Sequence, residues 1–474
     1  MKEYAIVGSG IGGSSIAAYL NAKGHDIVLF EKESYLGGCS SSFYHKKHYY
    51  NTGATTFAGY QNGFVLKEIF DAIGFHSPKL RRSDPAIVVV QNGKTTPRYQ
   101  DLEMFLSILQ ENYPHSKHHQ FWQLVYKINK TFYKTEGYYY SNKNIFAKLR
   151  SLASYFPLGK EFFPYIKADA LSFIKSFYGL LDEEYLHFLE AQVLIVAQAP
   201  LKEINFFTAA LALAYTFNDN YYVEGGFSTL FNELTQDIHD LYRSTEVQSI
   251  TKKRDSYELD TSKGVFQAKN IILNSTVYGS AKLFTQKQIQ NYYKKYELLN
   301  NYQSSFMLYF TLKSEREFFH HYQIIEKEIF AHTISRAIFV SFSDQNDTLI
   351  SQKGEYSVTV SIHTDLRLWQ NKTAYKEQKE QLKNLLLDTI KKHLSLDDEQ
   401  IISSFAATPN TFSRYIKRAQ LGGNAMSIKN FLPKLPSNDT PIDGLYHVGD
   451  SVYAAQGWPG VMMGVKNLTK LLDV

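Results

Sequence analysis

Three features of this 474-residue chain point to an α/β fold: a parallel sheet joined to a second, α+β region. The first is a strand, a glycine turn, a helix and another strand in direct succession over the opening 31 residues. A further strand, turn and helix lie close to the C-terminus. Between them, at 247–274, short apolar or alternating runs read as strands, flanked on either side by long stretches of different character. Strands separated by a helix or by long excursions pair in parallel, because a parallel neighbour needs a crossover and a tight hairpin cannot supply one.

Tyr4-Ala5-Ile6-Val7 is the apolar run of a strand buried on both faces. Gly8-Ser9-Gly10-Ile11-Gly12-Gly13 comes next, giving G-x-G-x-x-G at Gly8, Gly10 and Gly13. Ser14 to Lys23 reads as a helix with Ile16, Ala17 and Leu20 on one face, stopped by Gly24. Asp26 to Phe30 is the next strand and ends at Glu31, 18 residues beyond Gly13. Each residue type has a task. Gly8 makes the tight turn, Gly10 admits the backbone to a pyrophosphate, and Gly13 lets helix and strand pack closely. The helix N-terminus presents free N–H groups to the phosphates, and the Glu31 carboxylate accepts hydrogen bonds from ribose hydroxyls. The unit therefore predicts a dinucleotide site. Glu31 disfavours the 2′-phosphate of NADP but does not separate NAD from FAD.

The stretch after Glu31 makes that separation. A second glycine pair, Gly37-Gly38, stands six and seven residues after Glu31 in Glu31-Lys32-Glu33-Ser34-Tyr35-Leu36-Gly37-Gly38-Cys39-Ser40. Near the other end, Leu445-Tyr446-His447-Val448-Gly449-Asp450-Ser451 reads as a strand ending in Gly-Asp. Gln456-Gly457-Trp458-Pro459-Gly460-Val461 then opens a helix expected over Val461 to Leu472. Both halves resemble the flavin amine oxidase and phytoene desaturase superfamily. Three more segments resemble its phytoene desaturase, carotenoid isomerase and retinol saturase branch: Tyr50 to Phe57, Glu224 to Leu230, and Ala407 to Tyr415. The resemblance spans the whole chain. It implies non-covalent FAD on a Rossmann-type, glutathione-reductase-like domain, held by Gly8, Gly10, Gly13, Glu31, Lys32, Gly37, Gly38, Cys39, Val247, Gly449, Asp450, Gly460 and Val461. In the family the Gly-Asp pair holds the ribityl chain, and the positive end of the last helix suits the N1–C2=O edge of a reduced flavin. Thr55 and Arg414, from the first and last of the three branch-like segments, are the candidate catalytic residues near the ring.

On this reading the FAD-binding domain is assembled from 1–80, 221–285 and 422–474, and 86–220 with 286–421 form the substrate domain, helical in its first part. The expected activity is oxidoreduction or isomerisation at carbon–carbon bonds of an apolar polyene or isoprenoid, with a quinone, oxygen or a partner as electron acceptor. Two alternatives remain open: an amine-oxidase-like flavoenzyme acting on a small polar substrate, and a protein that binds FAD or lipid without turnover.

Composition narrows the field further. The single cysteine, Cys39, rules out an internal disulfide and cysteine-based metal sites. His115, His118, His119, His320 and His321 lack a ligand pattern and are expected at the surface, so no metal is expected. Net charge is only +5, and no nucleic-acid module accompanies it. Charge is concentrated, however: residues 117–175 carry ten Lys and Arg against three Asp and Glu, together with fifteen aromatic residues including Trp122, Tyr138, Tyr139, Tyr140, Phe162 and Phe163. That segment reads either as an aromatic core under solvated lysines or as a membrane-surface face. The longest nearly apolar run, Phe206 to Phe217, is 12 residues, well short of the roughly 20 a spanning helix needs. The expected location is the cytosol, peripheral on the inner face of a membrane.

Overall fold

The computed structural model describes residues 1–474 except 77, 135–137, 300–301, 372, 422, 424–427, 429–434 and 454–456. Gln456, with which the C-terminal motif begins, and residue 422, the expected start of the third FAD-domain piece, lie outside the described residues.

The predicted opening unit forms as strand Lys2–Val7, helix Ile11–Ala22 and strand Ile27–Phe30, with Gly24 turning the chain at a φ of +84°. These strands join Leu241–Tyr242, Gly264–Leu273 and Leu445–His447 in a parallel array, to which Tyr257–Thr261 and Val247–Lys252 add antiparallel. Register explains how distant motifs meet. Val7 lies beside both Phe30 and Leu273, and Leu273 lies beside His447. The residues next in the chain, Gly8, Glu31, Asn274 and Val448-Gly449, therefore leave the sheet along one carboxyl edge, where open parallel sheets take their ligands.

Two boundaries differ from expectation. The strand expected over Asn270 to Asn274 runs from Gly264, because Ser262 and Lys263 close a hairpin that pairs the polar half of this strand with Tyr257–Thr261. The last helix begins at Gly457 rather than Val461. Pro459 then falls in the first turn, where its missing N–H removes no intrahelical bond.

A second sheet orders Ile401–Ala407, Gln303–Lys313, Glu355–Asp365, Ala337–Phe342, His321–Ile325, Ile87–Gln91 and Lys94–Arg98. Its last two strands come from the stretch expected to be helical, so the helices there are anchored to a sheet built mainly by a segment 200 or more residues later. Between that hairpin and strand Asn220–Val223 stand helices Leu102–Asn112, His118–Lys134, Ile145–Lys167, Ala170–Tyr178, Glu183–Ala197 and Phe206–Leu213. Asp101, Asn144, Asp169, Asp182 and Asn205 each cap one of them by accepting a backbone N–H from the first turn.

The aromatic wealth of this region goes largely inward. Trp122, Phe121, Tyr140 and Phe162 are buried, and Trp122 donates to the Tyr185 hydroxyl at 3.0 Å. The surface expectation fails for three histidines. His118 is only 2% exposed, between the Tyr113 carbonyl and the Tyr178 hydroxyl, and burial pushes its pKa down to about 4. His321 is buried and His320 half-buried; burial lowers both. Among the described residues no helix is long and apolar enough to cross a membrane.

Candidate cofactor and substrate cavity

One cavity of about 1770 Å³ runs from the carboxyl edge of the parallel sheet into the helical region. It exceeds the roughly 300–1,000 Å³ of an ordinary single-ligand pocket. Volume alone thus leaves room for a dinucleotide and a second molecule.

At the sheet end the lining includes Gly8, Ser9, Gly10, Ile11 and Gly12, with Glu31, Lys32, Gly37, Gly38, Cys39, Val247, Gly449, Asp450, Gly460 and Val461. Gly13 does not line the cavity but lies behind the turn. A Cβ there would stand 1.9 Å from the Gly8 carbonyl oxygen, so only glycine lets the helix pack this closely on the strand before it. A Cβ on Gly10 would meet Asn274 Nδ2 at 2.6 Å. Gly8, at φ +97°, and Gly449, at φ +105°, hold backbone conformations that side chains resist. Gly10 caps the first helix without a side-chain bond, which leaves first-turn N–H groups facing the cavity.

Glu31 is buried and held from both sides. One carboxylate oxygen accepts from Ser9 N at 3.0 Å and from Ser9 Oγ at 2.6 Å; the other accepts from Glu33 N at 2.9 Å. Its position is therefore fixed beside the glycine turn. Lys32 donates to Glu33 at 2.7 Å and to the Tyr415 carbonyl. A cradle that side chains would fill, a capless helix end and a fixed carboxylate together fit a dinucleotide's pyrophosphate and ribose.

Asp450 faces Arg418, whose guanidinium donates to both carboxylate oxygens at 3.2 and 3.0 Å while Nε reaches the Gln420 carbonyl at 2.7 Å. Burial works against the Arg418 charge, but the Asp450 carboxylate outweighs it and holds the guanidinium pKa above its ordinary value. Burial likewise pushes the Cys39 thiol up.

Thr55 lines the cavity between the two sheets, its hydroxyl 2.7 Å from Ser341 Oγ. Arg414 does not line it. The residue is exposed on helix Pro409–Ile416, its guanidinium over the Tyr415 ring at 5.7 Å. One turn beyond, the chain bends inward, so the arginine of this stretch that lines the cavity is Arg418. Sequence reasoning also missed Asn274, Gly12, Tyr155 and Tyr453. Gly12 carried a readable cue, since it doubles Gly13; its Cβ would lie 2.8 Å from Gly449 N.

At the helical end the lining changes to Phe132, Tyr133, Leu158, Phe163, Phe207 and Leu211. Tyr155 and Tyr453 share a short hydroxyl–hydroxyl bond at this junction, and Tyr155 stacks on Tyr138 with ring centroids 4.8 Å apart. Tyr140 N donates to Asn467 on the last helix at 2.9 Å, which ties the helical region to the sheet end. Among the described residues no group of three or more His, Cys, Asp or Glu is placed to hold a metal ion.

Known proteins resemble this chain in sequence and in fold. Residues 6–73 match the family described as NAD(P)-binding Rossmann-like domain. Prolycopene isomerase 1, chloroplastic, of an Oncidium hybrid cultivar is 24% identical over an alignment of 520 residues that covers 100% of this chain and 86% of that protein. A prolycopene isomerase of Daucus carota is 25% identical over an alignment of 520 residues, covering 100% of this chain and 82% of that protein. The Rossmann-matched stretch, 6–73, contains the glycine turn and Glu31, the part of the cavity that fits a dinucleotide. Solved structures agree in fold: putrescine oxidase bound to putrescine has a TM-score of 0.65 at 11% identity, covering 100% of this chain and 99% of that one. The fatty acid isomerase of P. acnes that produces CLA has a TM-score of 0.61 at 12% identity, with the same coverage. The chloroplast named for the relative is that protein's location and does not support the cytosolic expectation for this one.

Proposed function

We propose that this protein is an FAD-dependent enzyme that acts on carbon–carbon double bonds of an apolar polyene or isoprenoid, by isomerisation, desaturation or saturation, with FAD held non-covalently. The observation that carries this reading is the continuity of one cavity from a dinucleotide cradle to an aromatic and aliphatic arm. Full-length similarity to a prolycopene isomerase and structural likeness to a fatty acid isomerase support it. On this reading 1–80, 221–285 and 422–474 form the FAD domain, and 86–220 with 286–421 form the substrate domain. An electron acceptor such as a quinone or oxygen, and peripheral contact with the inner, cytosolic face of a membrane, complete the proposal.

When bound, FAD supplies hydride transfer or, in its reduced form, assistance to double-bond isomerisation without net redox change. The chain's own residues do the rest. The glycine turn and Glu31 would hold the dinucleotide, and Arg418 keeps the Asp450 carboxylate oriented where a sugar chain passes. Thr55 would sit between the two ends, while Phe132, Leu158 and Phe207 exclude water from the arm and align an extended apolar chain.

Purification decides the cofactor. Acid or heat denaturation should release a yellow supernatant that chromatography identifies as FAD; pigment that stays with the precipitated protein would mean a covalent link. The substrate class is tested by adding a cis-polyene to the reduced holoprotein and tracking its absorbance. A holoprotein that instead oxidises amines and ignores polyenes would replace this reading with the amine-oxidase one.

A further inference from the structure

Helix Ile145–Lys167 is amphipathic in the unusual sense, with its apolar stripe turned to solvent. Ile145, Leu149, Leu152, Phe156 and Phe163 recur at i, i+4, i+7, i+11 and i+18, one face of a helix, and all are exposed. Phe146 beside them is 79% exposed and Phe156 is 68% exposed. The opposite face gives the protein interior Ser151, Leu158 and Phe162. Scattered surface hydrophobics need no explanation, but a contiguous row of six large ones does.

Two further observations say what covers this row. The helix carries Lys148, Arg150, Lys160 and Lys167 against a single acid, Glu161, and that acid is bonded to Lys127 at 2.8 Å. Apolar side chains rimmed by cations suit an anionic lipid surface, where the chains enter the acyl boundary and the ammonium groups meet phosphates. In addition, Leu152, Phe156, Lys160 and Phe163 line the cavity, and three of these four belong to the exposed row. The outward stripe therefore runs into the arm of the cavity.

We infer that helix Ile145–Lys167 lies in the surface of an anionic bilayer and forms the portal through which an apolar substrate passes from lipid into the cavity. This rests on the polyene reading and sharpens it by naming the docking element. It also assigns the aromatic, basic segment of the sequence. Trp122, Tyr138, Tyr140 and Phe162 pack the core, and the lipid-facing set is instead Ile145, Phe146, Leu149, Leu152, Phe156 and Phe163.

The test uses FAD-loaded, full-length protein and sedimentation with vesicles, either of phosphatidylcholine alone or with added phosphatidylglycerol. Ile145, Phe146 and Leu149 lie outside the cavity lining, so the variant I145E/F146E/L149E should keep FAD and turn over detergent-dispersed polyene as the wild type does. Its partition onto phosphatidylglycerol vesicles should fall by about tenfold or more, and turnover of vesicle-borne polyene should fall with it. K148E/K167E should weaken binding in a salt-dependent manner and only on anionic vesicles. A wild-type holoprotein that ignores vesicles, a triple variant that binds them undiminished, or a wild-type dimer that the triple variant converts to a monomer would each overturn the portal. Because FAD content and detergent-dispersed turnover are read separately, such a result leaves the polyene reading standing; loss of those two readouts in the wild type would defeat the polyene reading itself.

Discussion

The two ends of the cavity are built on opposite principles. At the sheet end position is enforced by backbone: glycines where a Cβ would collide, strands in parallel register, and a carboxylate tied to Ser9 and Glu33. At the helical end position is set by packed rings such as Phe132 and Phe207, with few polar contacts. Backbone collisions tolerate almost no substitution, whereas packed rings tolerate shape-conserving ones. The difference teaches that a dinucleotide's polar groups need fixed donors, and a featureless hydrocarbon needs only a dry, well-shaped channel. Substitutions at the two ends should therefore fail differently.

The largest effect is expected for Gly13→Val. The new side chain meets the Gly8 carbonyl at a distance that no rotamer relieves, so the cost should exceed about 4 kcal/mol and the variant should be colourless and unfolded in thermal melts. A stable, FAD-loaded Gly13→Val protein would show that the helix does not pack on the turn as described. Glu31→Ala comes next. Losing charge-assisted bonds worth roughly 1.5–3 kcal/mol each should weaken FAD at least about tenfold, measured by equilibrium dialysis, without loss of fold.

Acid should strain both ends alike. Burial depresses the pKa of His118 in the helical region to about 4 and that of His447 on the parallel sheet to about 3, below the ordinary 6.5. The unfolded chain thus binds protons that the folded one refuses. Stability supplied by these neutral imidazoles is fully present above pH 6.5 and drains away as pH falls toward 4, by at most about 3 kcal/mol for His118. Urea melts between about pH 7 and 4 should show the decline, and His118→Gln should flatten its slope. At the cavity junction Tyr155→Phe removes one hydroxyl of the Tyr155–Tyr453 pair. Stability should drop by about 1 kcal/mol with FAD content unchanged, while the absorbance of a bound polyene shifts. The smallest effect belongs to Arg414→Ala, within about 0.5 kcal/mol and with turnover intact, because the side chain is solvent-exposed. A large loss of turnover there would restore the catalytic role expected of Arg414 from its motif.

The glycines of the first turn could be read directly because local geometry dictates them: a turn with positive φ or a close backbone approach admits one residue type wherever the rest of the chain goes, whereas the Gly449-Asp450 pair was legible only through its resemblance to a family motif. The strand at Ile87–Gln91 and its place in the second sheet could not be read, since its partner His321–Ile325 lies more than 200 residues away and nothing in either run names the other. Arg414 and Arg418 show the same limit within about one helical turn. Only Arg414 belongs to the motif-bearing segment, and the chain's path after Ile416 brings Arg418, three residues past the segment's end, to Asp450. Trp122 and Phe156 show it most plainly. Composition placed both in one basic, aromatic segment, and helical periodicity gives each an apolar face. Whether that face meets a protein core or open surroundings depends on neighbours contributed by the rest of the chain: Tyr185 and Phe217 close over Trp122, whereas Phe156 stands 68% exposed at the cavity's edge. Short-range sterics and hydrogen bonding thus wrote the glycine turn at the sheet end into the amino-acid order. The burial of each apolar stripe is a long-range property, and it was settled when the helices packed.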